Sequence, residues 1–501
     1  MHRSGRTAVS GLVVAALMAL GAGEAAAQQD FQTLADECRA NGGEERLCRS
    51  LAQLGRDAAQ ACRFAGGPLE ACAVFDRRLI AEDRMAAYES GWAHRALGLQ
   101  SRLDERRPLR LAFIPATHNS FNSAAYAPTL SGLDHNQVYS LGDQLRMDMR
   151  GLELDVHWIP SASGDAGFAP VLCHGQDVAA GPVTLHVGCT IERHLREGLK
   201  EIHDWLVANP TGELLLLYLE NHLDGDPAAH DAAATAIETE LGELVYRPDA
   251  NTPCAAMPAN QSRMDLLGPG DASRVLIVGN CDPTFAAWGS WVHEREQANT
   301  WIESSSPPGT DYPDYPACDA PGAERHNATG EAGAEYDQRF VRWYEDSTWL
   351  TAMVNGEPRE ITLEETGRMA RCGVNLIGFD QLTPEDARLE AMVWSWAKDQ
   401  PSTTVAPGSC AHLGSDGRFY QAGCETNFLQ YACRSGEPPG TWTVVGPGGP
   451  WSGGTDACGV PAKFAVPATA YENELLKAAG GTNGVWLNYA VGANGWTPNL
   501  Q

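Results

Sequence analysis

The sequence predicts an α/β protein built on a (β/α) TIM-type barrel, regular or distorted, over residues 105–402, with an N-terminal helical extension and a small C-terminal β-rich module. Three observations predict it. From residue 108 onward, short apolar runs alternate with helical or Gly/Pro-containing segments: LRLAFIPA, RGLELDVHWI, APVLCHG, GELLLLYLEN, SRVLIVGN and GVNLIGFDQ. Near-continuous runs such as residues 214–219 suit strands buried on both faces, as in a parallel sheet wrapped by helices. Five of the six runs end in polar groups, His118-Asn119, His174-Gly175-Gln176, Glu220-Asn221-His222, Asn280 and Asp380-Gln381. Carboxyl ends of parallel strands are where such barrels keep their chemistry. A doubly wound sheet is the alternative fold, but no G-x-G-x-x-G turn follows an early strand to support it.

The remaining elements follow in chain order. Residues 1–27 read as a secretory signal of bacterial type: Arg3 and Arg6, an apolar stretch over 9–20, then Ala25, Ala26 and Ala27. That stretch is shorter than the roughly 20 residues a membrane span needs, so a secreted or periplasmic protein is expected. Residues 28–104 are rich in Ala, Arg, Glu and Leu and read as helical. They carry Cys38, Cys48, Cys62 and Cys72 in two C-x9-C units, a spacing that would staple a hairpin through Cys38–Cys72 and Cys48–Cys62, although Gly42, Gly43, Gly66 and Gly67 weaken both helices. The chain has 14 cysteines and no close C-x-x-C pair, which suits disulfides and export better than zinc. EDARLEAMVWSWAKDQ reads as a closing helix of the barrel, with Trp394 and Trp396 as packing residues. After PSTTVAPGS the composition shifts to Gly, Trp, Thr and Cys, marking the module over 408–501, in which NGVWLNYAVGANGW reads as a hairpin. HNATG offers an Asn-Ala-Thr glycosylation acceptor at Asn327 and so an exposed loop.

The formal net charge is −28, and removal of residues 1–27 leaves −29. So acidic a chain is poorly suited to nucleic acid, or to anionic lipid by long-range attraction. Nothing in the sequence implies a stable protein partner.

The chemistry concentrates in GLELDVH. Residues two apart on a strand share a face, so Glu153 and Asp155 project together and repel unless a proton or cation lies between them. Asn119, with a neutral amide oxygen, and Glu220, at another strand end, complete an oxygen set that suits Ca2+. Zinc would ask for nitrogen or sulfur. His118 and His174 flank this set and have the reach of general acids towards a bound phosphate. Asp143, Asp148 and Arg150 read as solvated loop positions beside the E-x-D strand, and His222 and Asp224 as structural.

PATHNSFN, LRMDMRGLELDVHW, VLCHG and LLLYLENH together resemble the catalytic X region of calcium-dependent phosphatidylinositol-specific phospholipase C and the wider PLC-like phosphodiesterase superfamily. The resemblance covers residues 108–225 and, more weakly, NLIGFDQL. It implies that His118 and His174 are the catalytic pair and that Asn119, Glu153, Asp155 and Glu220 hold calcium, with Glu153 or Asp155 also taking a proton from the attacking substrate hydroxyl. His174 would protonate the leaving alkoxide, His118 would stabilise the phosphorane, and a cyclic phosphodiester would form first. Metal-free bacterial members carry an Asp after the first His and an Arg near the position of Asp155; this sequence has neither.

The implied partner is a phosphodiester substrate, with a phospholipid head group as one candidate and transient membrane contact. The Lys, Ser, Arg and Tyr with which eukaryotic relatives hold phosphorylated inositol have no counterparts here, so no substrate-binding residues are assigned. Two other functions compete. A glycerophosphodiester phosphodiesterase would share the barrel, histidines and metal, but opens with His-Arg-Gly where this chain has Thr-His-Asn-Ser. A non-catalytic secreted binding protein would act through the C-terminal module.

Overall fold

A computed structural model of the chain describes residues 46, 50, 82–126, 135–161, 167–180, 183–189, 192–210, 212–249, 251–268, 273–295, 301–304, 340–348, 360–404, 406–480, 484–493 and 495–498. The signal-like segment, the four cysteines at 38, 48, 62 and 72 with their expected pairing, and Asn327 lie outside these residues.

Among the described residues, two helices, α1 (Glu82–Glu89) and α2 (Trp92–Asp104), precede the first strand. The strands then follow as β1 (Ile114–Thr117), β2 (Gly151–Pro160), β3 (Phe168–Leu172), β4 (Gln176–Ala180), β5 (Val183–Val187), β6 (Arg193–His194), β7 (Leu214–His222), β8 (Arg274–Gly279), β9 (His293–Glu294), β10 (Trp301–Ser304), β11 (Phe340–Tyr344) and β12 (Leu376–Phe379). The wall of the barrel runs β10–β11–β12–β1–β2–β7–β8–β9, and every neighbouring pair along it is parallel. Among the described residues no ladder joins β9 to β10, so the α/β barrel is a curled, open one.

Strand alternation sorts the side chains of this wall. Leu215, Leu217 and Leu219 of β7 and Leu152, Leu154 and Val156 of β2 face outward, into one core with Leu195, Leu199 and Ile202 of helix α3 (Leu195–Ala208) and Ala233 and Ile237 of α4 (Pro227–Glu240). Leu214, Leu216 and Tyr218 face inward with Ile114, Ala116, Leu276, Val278 and Leu376, filling the lower barrel. The polar positions of the same strands are left for the upper rim.

Two expectations need correction. APVLCHG is not a wall strand: β2 overruns the rim to Pro160, and β3 folds back antiparallel along that overrun, covering an edge that would otherwise stand open. The wall gains β9, β10 and β11 instead, which were not among the six runs. The closing helix shrinks to Ala387–Ala391, because the N–H groups of Trp394 and Ser395 donate to the Gln100 side chain of α2 (2.8 and 3.2 Å). Both tryptophans are buried as packing residues, as expected.

Among the described residues after 402, a seven-stranded sheet is built from strands β13 (Ser409–Leu413), β14 (Phe419–Gly423), β15 (Leu429–Ser435), β16 (Thr441–Gly449), β17 (Lys463–Phe464), β18 (Val485–Gly492) and β19 (Gly495–Pro498). The β18–β19 hairpin is the one read from the sequence. Phe419, Tyr489 and Trp496 share a core with Trp396, with Met85 and Leu97 of α1 and α2, and with Trp343 of β11. Both flanking segments therefore pack on the barrel. Disulfides Cys173–Cys189, Cys254–Cys281, Cys410–Cys424 and Cys433–Cys458 fit the reading of the cysteines. No helix among the described residues is long and apolar enough to cross a membrane.

Candidate functional site

The register of β2 against β7 builds the site in layers. Gly151 lies opposite Leu216, Glu153 opposite Tyr218, Asp155 opposite Glu220 and His157 opposite His222. Rising through the barrel, the strand pair thus passes from apolar packing to an aromatic ring, then to paired carboxylates, then to paired imidazoles. Glu153, Asp155 and Glu220 each offer an oxygen within 4.8 Å of the others. A calcium ion bound at 2.3–2.6 Å can span oxygens up to about 5 Å apart, so this donor set fits calcium in size and chemistry.

The electrostatics agree. Burial raises the Glu153 carboxyl, and the charges of Arg342 and His118 pull it only part of the way back. Asp155 is held well above the usual carboxylate range by burial and by the charges of Glu220 and Glu153. Burial would raise Glu220 too, but the hydrogen bond and charge of His222 bring it down to about 2. Three acidic groups so placed ask for a proton or a cation between them.

The turn after β1 sets the first histidine over this cage. Ser120 exchanges bonds with the Glu153 backbone, its N–H donating to the Glu153 carbonyl (3.0 Å) and its Oγ accepting from the Glu153 N–H (2.9 Å). Asn119 takes a left-handed φ of 44°, which asparagine tolerates better than most residues, and its N–H then donates to Glu153 Oε2 (3.0 Å). Its side-chain amide lies 3.3 Å from His118 Nε2. His118 is stacked on Tyr344 (centroids 4.8 Å apart) and places Nδ1 3.1 Å from Asp380 and Nε2 4.0 Å from Glu153. Burial would lower this imidazole, but the charges of Asp380 and Glu153 carry it up to about 9.

His174 reaches the same region from beyond β3. Its Nδ1 lies 3.2 Å from the Asn122 amide, which donates to Asn136 (2.8 Å), and Asn136 in turn donates to Asp380 (3.2 Å). A relay of amides therefore connects the two histidines. Gly175 is required behind His174, since a Cβ there would collide with the Cys189 sulfur of the Cys173–Cys189 disulfide.

All six expected residues are thus gathered at the carboxyl ends of the strands, and the structure adds others. Arg342 of β11, 1% exposed, lies between the rings of Tyr218 and Tyr344 and donates to Glu153 Oε2 (2.5 Å). Asp380, named only as a strand-end group by the sequence, is the partner of His118. Above the cage, the β4–β5 hairpin brings Asp177 and His186 against His157 and His222. Asp148 is not a solvated loop residue: it is buried and accepts from the Tyr88 hydroxyl (2.7 Å), with His94 Nδ1 at 2.9 Å. A hollow lined by Arg95, Arg150, Trp205 and Glu213 opens near the amino ends of the strands and contains none of the site residues.

Comparison with known proteins adds a family. Residues 77–386 match the family described as the Rv2075c PI-PLC-like domain. The uncharacterized protein Rv2075c of Mycobacterium tuberculosis is 36% identical over 460 residues, covering 89% of each chain, and the uncharacterized protein MT2135 of another strain of that species matches equally. Among solved structures, the phosphatidylinositol-specific phospholipase C of Listeria monocytogenes is 11% identical over 59% of this chain and 97% of its own, with a TM-score of 0.34. A calcium-dependent phosphoinositol-specific phospholipase C from Pseudomonas sp. is 11% identical over 56% of this chain and 94% of its own, with a TM-score of 0.28. Overlaps this loose carry no weight for the site.

Proposed function

We propose that this chain, which belongs to the Rv2075c PI-PLC-like family, is an exported, calcium-dependent phosphoric diester hydrolase of the phospholipase C type. The observation that carries the reading is the convergence of Glu153, Asp155 and Glu220, beside His118, at the carboxyl end of a parallel barrel. The signal-like leader and the disulfides support export. The substrate is a phosphodiester, with a phospholipid head group approached through transient membrane contact as the leading candidate.

Calcium held by Glu153, Asp155 and Glu220, with Asn119 beside them, would act as a Lewis acid that offsets phosphate charge and acidifies a substrate hydroxyl. The chain's own groups do the rest. Glu153 or Asp155, made basic by burial, accepts the hydroxyl proton as that oxygen attacks phosphorus. His118, positively charged at neutral pH because Asp380 and Glu153 hold its proton, faces the charge that gathers on the phosphorane. His174, the second histidine of the pair, protonates the departing alkoxide from its imidazolium form. The first product is a cyclic phosphodiester, which water then opens.

One observation favours a second reading. The Arg342 guanidinium already neutralises one carboxylate, as a metal-independent diesterase would require. Hydrolysis of a chromogenic phosphodiester with and without EGTA separates the two. Loss of activity in EGTA and its return with calcium are expected. Activity that survives both EGTA and His174→Ala overturns the calcium mechanism, and activity in EGTA that vanishes in Arg342→Lys establishes the second reading. Phosphorus NMR across phospholipids and glycerophosphodiesters should show a cyclic product from the former. Faster turnover of the latter would favour a glycerophosphodiester phosphodiesterase, and no turnover of any diester a binding protein.

A further inference from the structure

We propose that a second metal site lies one layer above the carboxylate cage, where His157, Asp177 and His222 hold a single zinc-class divalent cation and His186 stands against Asp177 as a fourth candidate ligand. The four residues come from two unrelated parts of the fold. His157 and His222 are register partners on the parallel strands β2 and β7, with rings stacked 4.2 Å apart and 3° from parallel. Asp177 and His186 are register partners on the antiparallel β4–β5 hairpin, which folds over the barrel mouth.

Three imidazole nitrogens of one kind converge on one carboxylate. His186 Nδ1 and His222 Nδ1 each lie 2.7 Å from Asp177, on Oδ1 and Oδ2, and His157 Nδ1 lies 3.4 Å from Oδ1. His157 Nδ1 and His186 Nδ1 are only 2.9 Å apart, so at least one of them turns a lone pair inward. A tetrahedral zinc ion is bound at about 2.0–2.1 Å with its ligand atoms roughly 3.3 Å apart, and one donor atom each from His157, Asp177 and His222 lies within 4.8 Å of the others. Three imidazoles and one carboxylate are a borderline donor set, suited to zinc and related transition metals and not to calcium.

The outer nitrogens support the assignment. His186 Nε2 lies 3.0 Å from Asp224, and His222 Nε2 lies 3.4 Å from Glu220. A carboxylate on the far nitrogen is what fixes the ring of a metal-bound histidine. His157 is fully buried, with Nδ1 turned toward both Asp177 and His186. Bound there, the cation would clamp the hairpin to the barrel rim.

The test uses the full-length chain without added histidines, equilibrated with zinc chloride in excess calcium, then gel-filtered and analysed for metal by mass spectrometry. One zinc per chain is expected, and cobalt chloride in its place should give the strong visible absorption of a tetrahedral ion. His186→Ala and Asp177→Asn should each weaken zinc binding at least tenfold, while Glu153→Gln keeps the wild-type zinc content. Wild-type protein that retains no zinc and shows no cobalt absorption overturns the proposal, whatever the variants do. Loss of zinc in Glu153→Gln, with circular dichroism unchanged, also overturns it, because the ion would then belong to the cage below.

Discussion

On the strand pair β2–β7, Asp155–Glu220 and His157–His222 stand one layer apart, about 6.6 Å along the chain, and the two layers differ in every property that selects a ligand. The lower layer presents oxygen only, deep in the barrel, with the Arg342 cation reaching in from the wall. The upper layer presents nitrogen, closed from above by a hairpin that adds Asp177 and His186. The strands supply the same geometry to both, so the chemistry of each layer is decided by what else arrives there. One strand pair can in this way offer a hard-cation site and a borderline one without either set of ligands being shared.

The largest effect that could break this contrast is on catalysis. Glu153→Gln and Asp155→Asn should each lower hydrolysis of a chromogenic phosphodiester by about 10⁴-fold, the scale expected when several kcal/mol of charge stabilisation are lost. Equal loss of activity on removing His186 from the upper layer would mean that the two layers form one catalytic centre.

Next in size is the arginine. Arg342→Leu removes the guanidinium from the buried Glu153 and leaves His118, at 4.0 Å, as the cation beside it, which should cost about 3–5 kcal/mol in urea unfolding measured in EGTA. Saturating calcium should recover part of that loss if the cage binds it, since a ligand that binds only the folded state adds to its stability. An identical loss with and without calcium would show that Arg342, not a metal, is the resident cation of the lower layer.

The hairpin sharpens the contrast from the other side. Cys173 and Cys189 are 16 residues apart, and closing a loop of that size is worth about 3 kcal/mol in the chain-entropy account. Cys173→Ser with Cys189→Ser should therefore lower the urea midpoint and release the hairpin, weakening zinc binding while leaving calcium dependence in place. If calcium dependence changes as well, the hairpin also supports the cage, and His174, next to Cys173, is the group to examine.

The lower layer was far more legible in the sequence than the upper one, for a physical reason. Glu153 and Asp155 share a strand, and strand alternation alone puts them on one face. Asn119 and Glu220 end recognisable apolar runs. His157 lies on the same face by the same rule, yet its partners Asp177 and His186 come together only through the pairing of β4 with β5. The signal was present but faint: the hairpin alternates, with Val178 and Leu185 exposed on the face opposite Asp177 and His186. Arg342 was missed because it sits in FVRWY, a run that sequence reading did not recognise as a wall strand. The closing helix failed through a tertiary bond, since no local pattern reveals that Gln100 will accept from the backbone at Trp394.

His222 touches both layers, and it gives the smallest and most discriminating effect. In the upper layer its Nδ1 faces Asp177, while in the lower its Nε2 faces Glu220 at 3.4 Å. Partners that orient a metal ligand are worth 10–100-fold in metal affinity. His222→Gln should therefore raise the calcium needed for half-maximal activity by about tenfold while also weakening zinc binding. His157→Gln should weaken zinc binding alone. If His222→Gln weakens zinc and leaves the calcium requirement unchanged, the 3.4 Å contact carries no coupling, and the two layers are independent sites that share only a backbone.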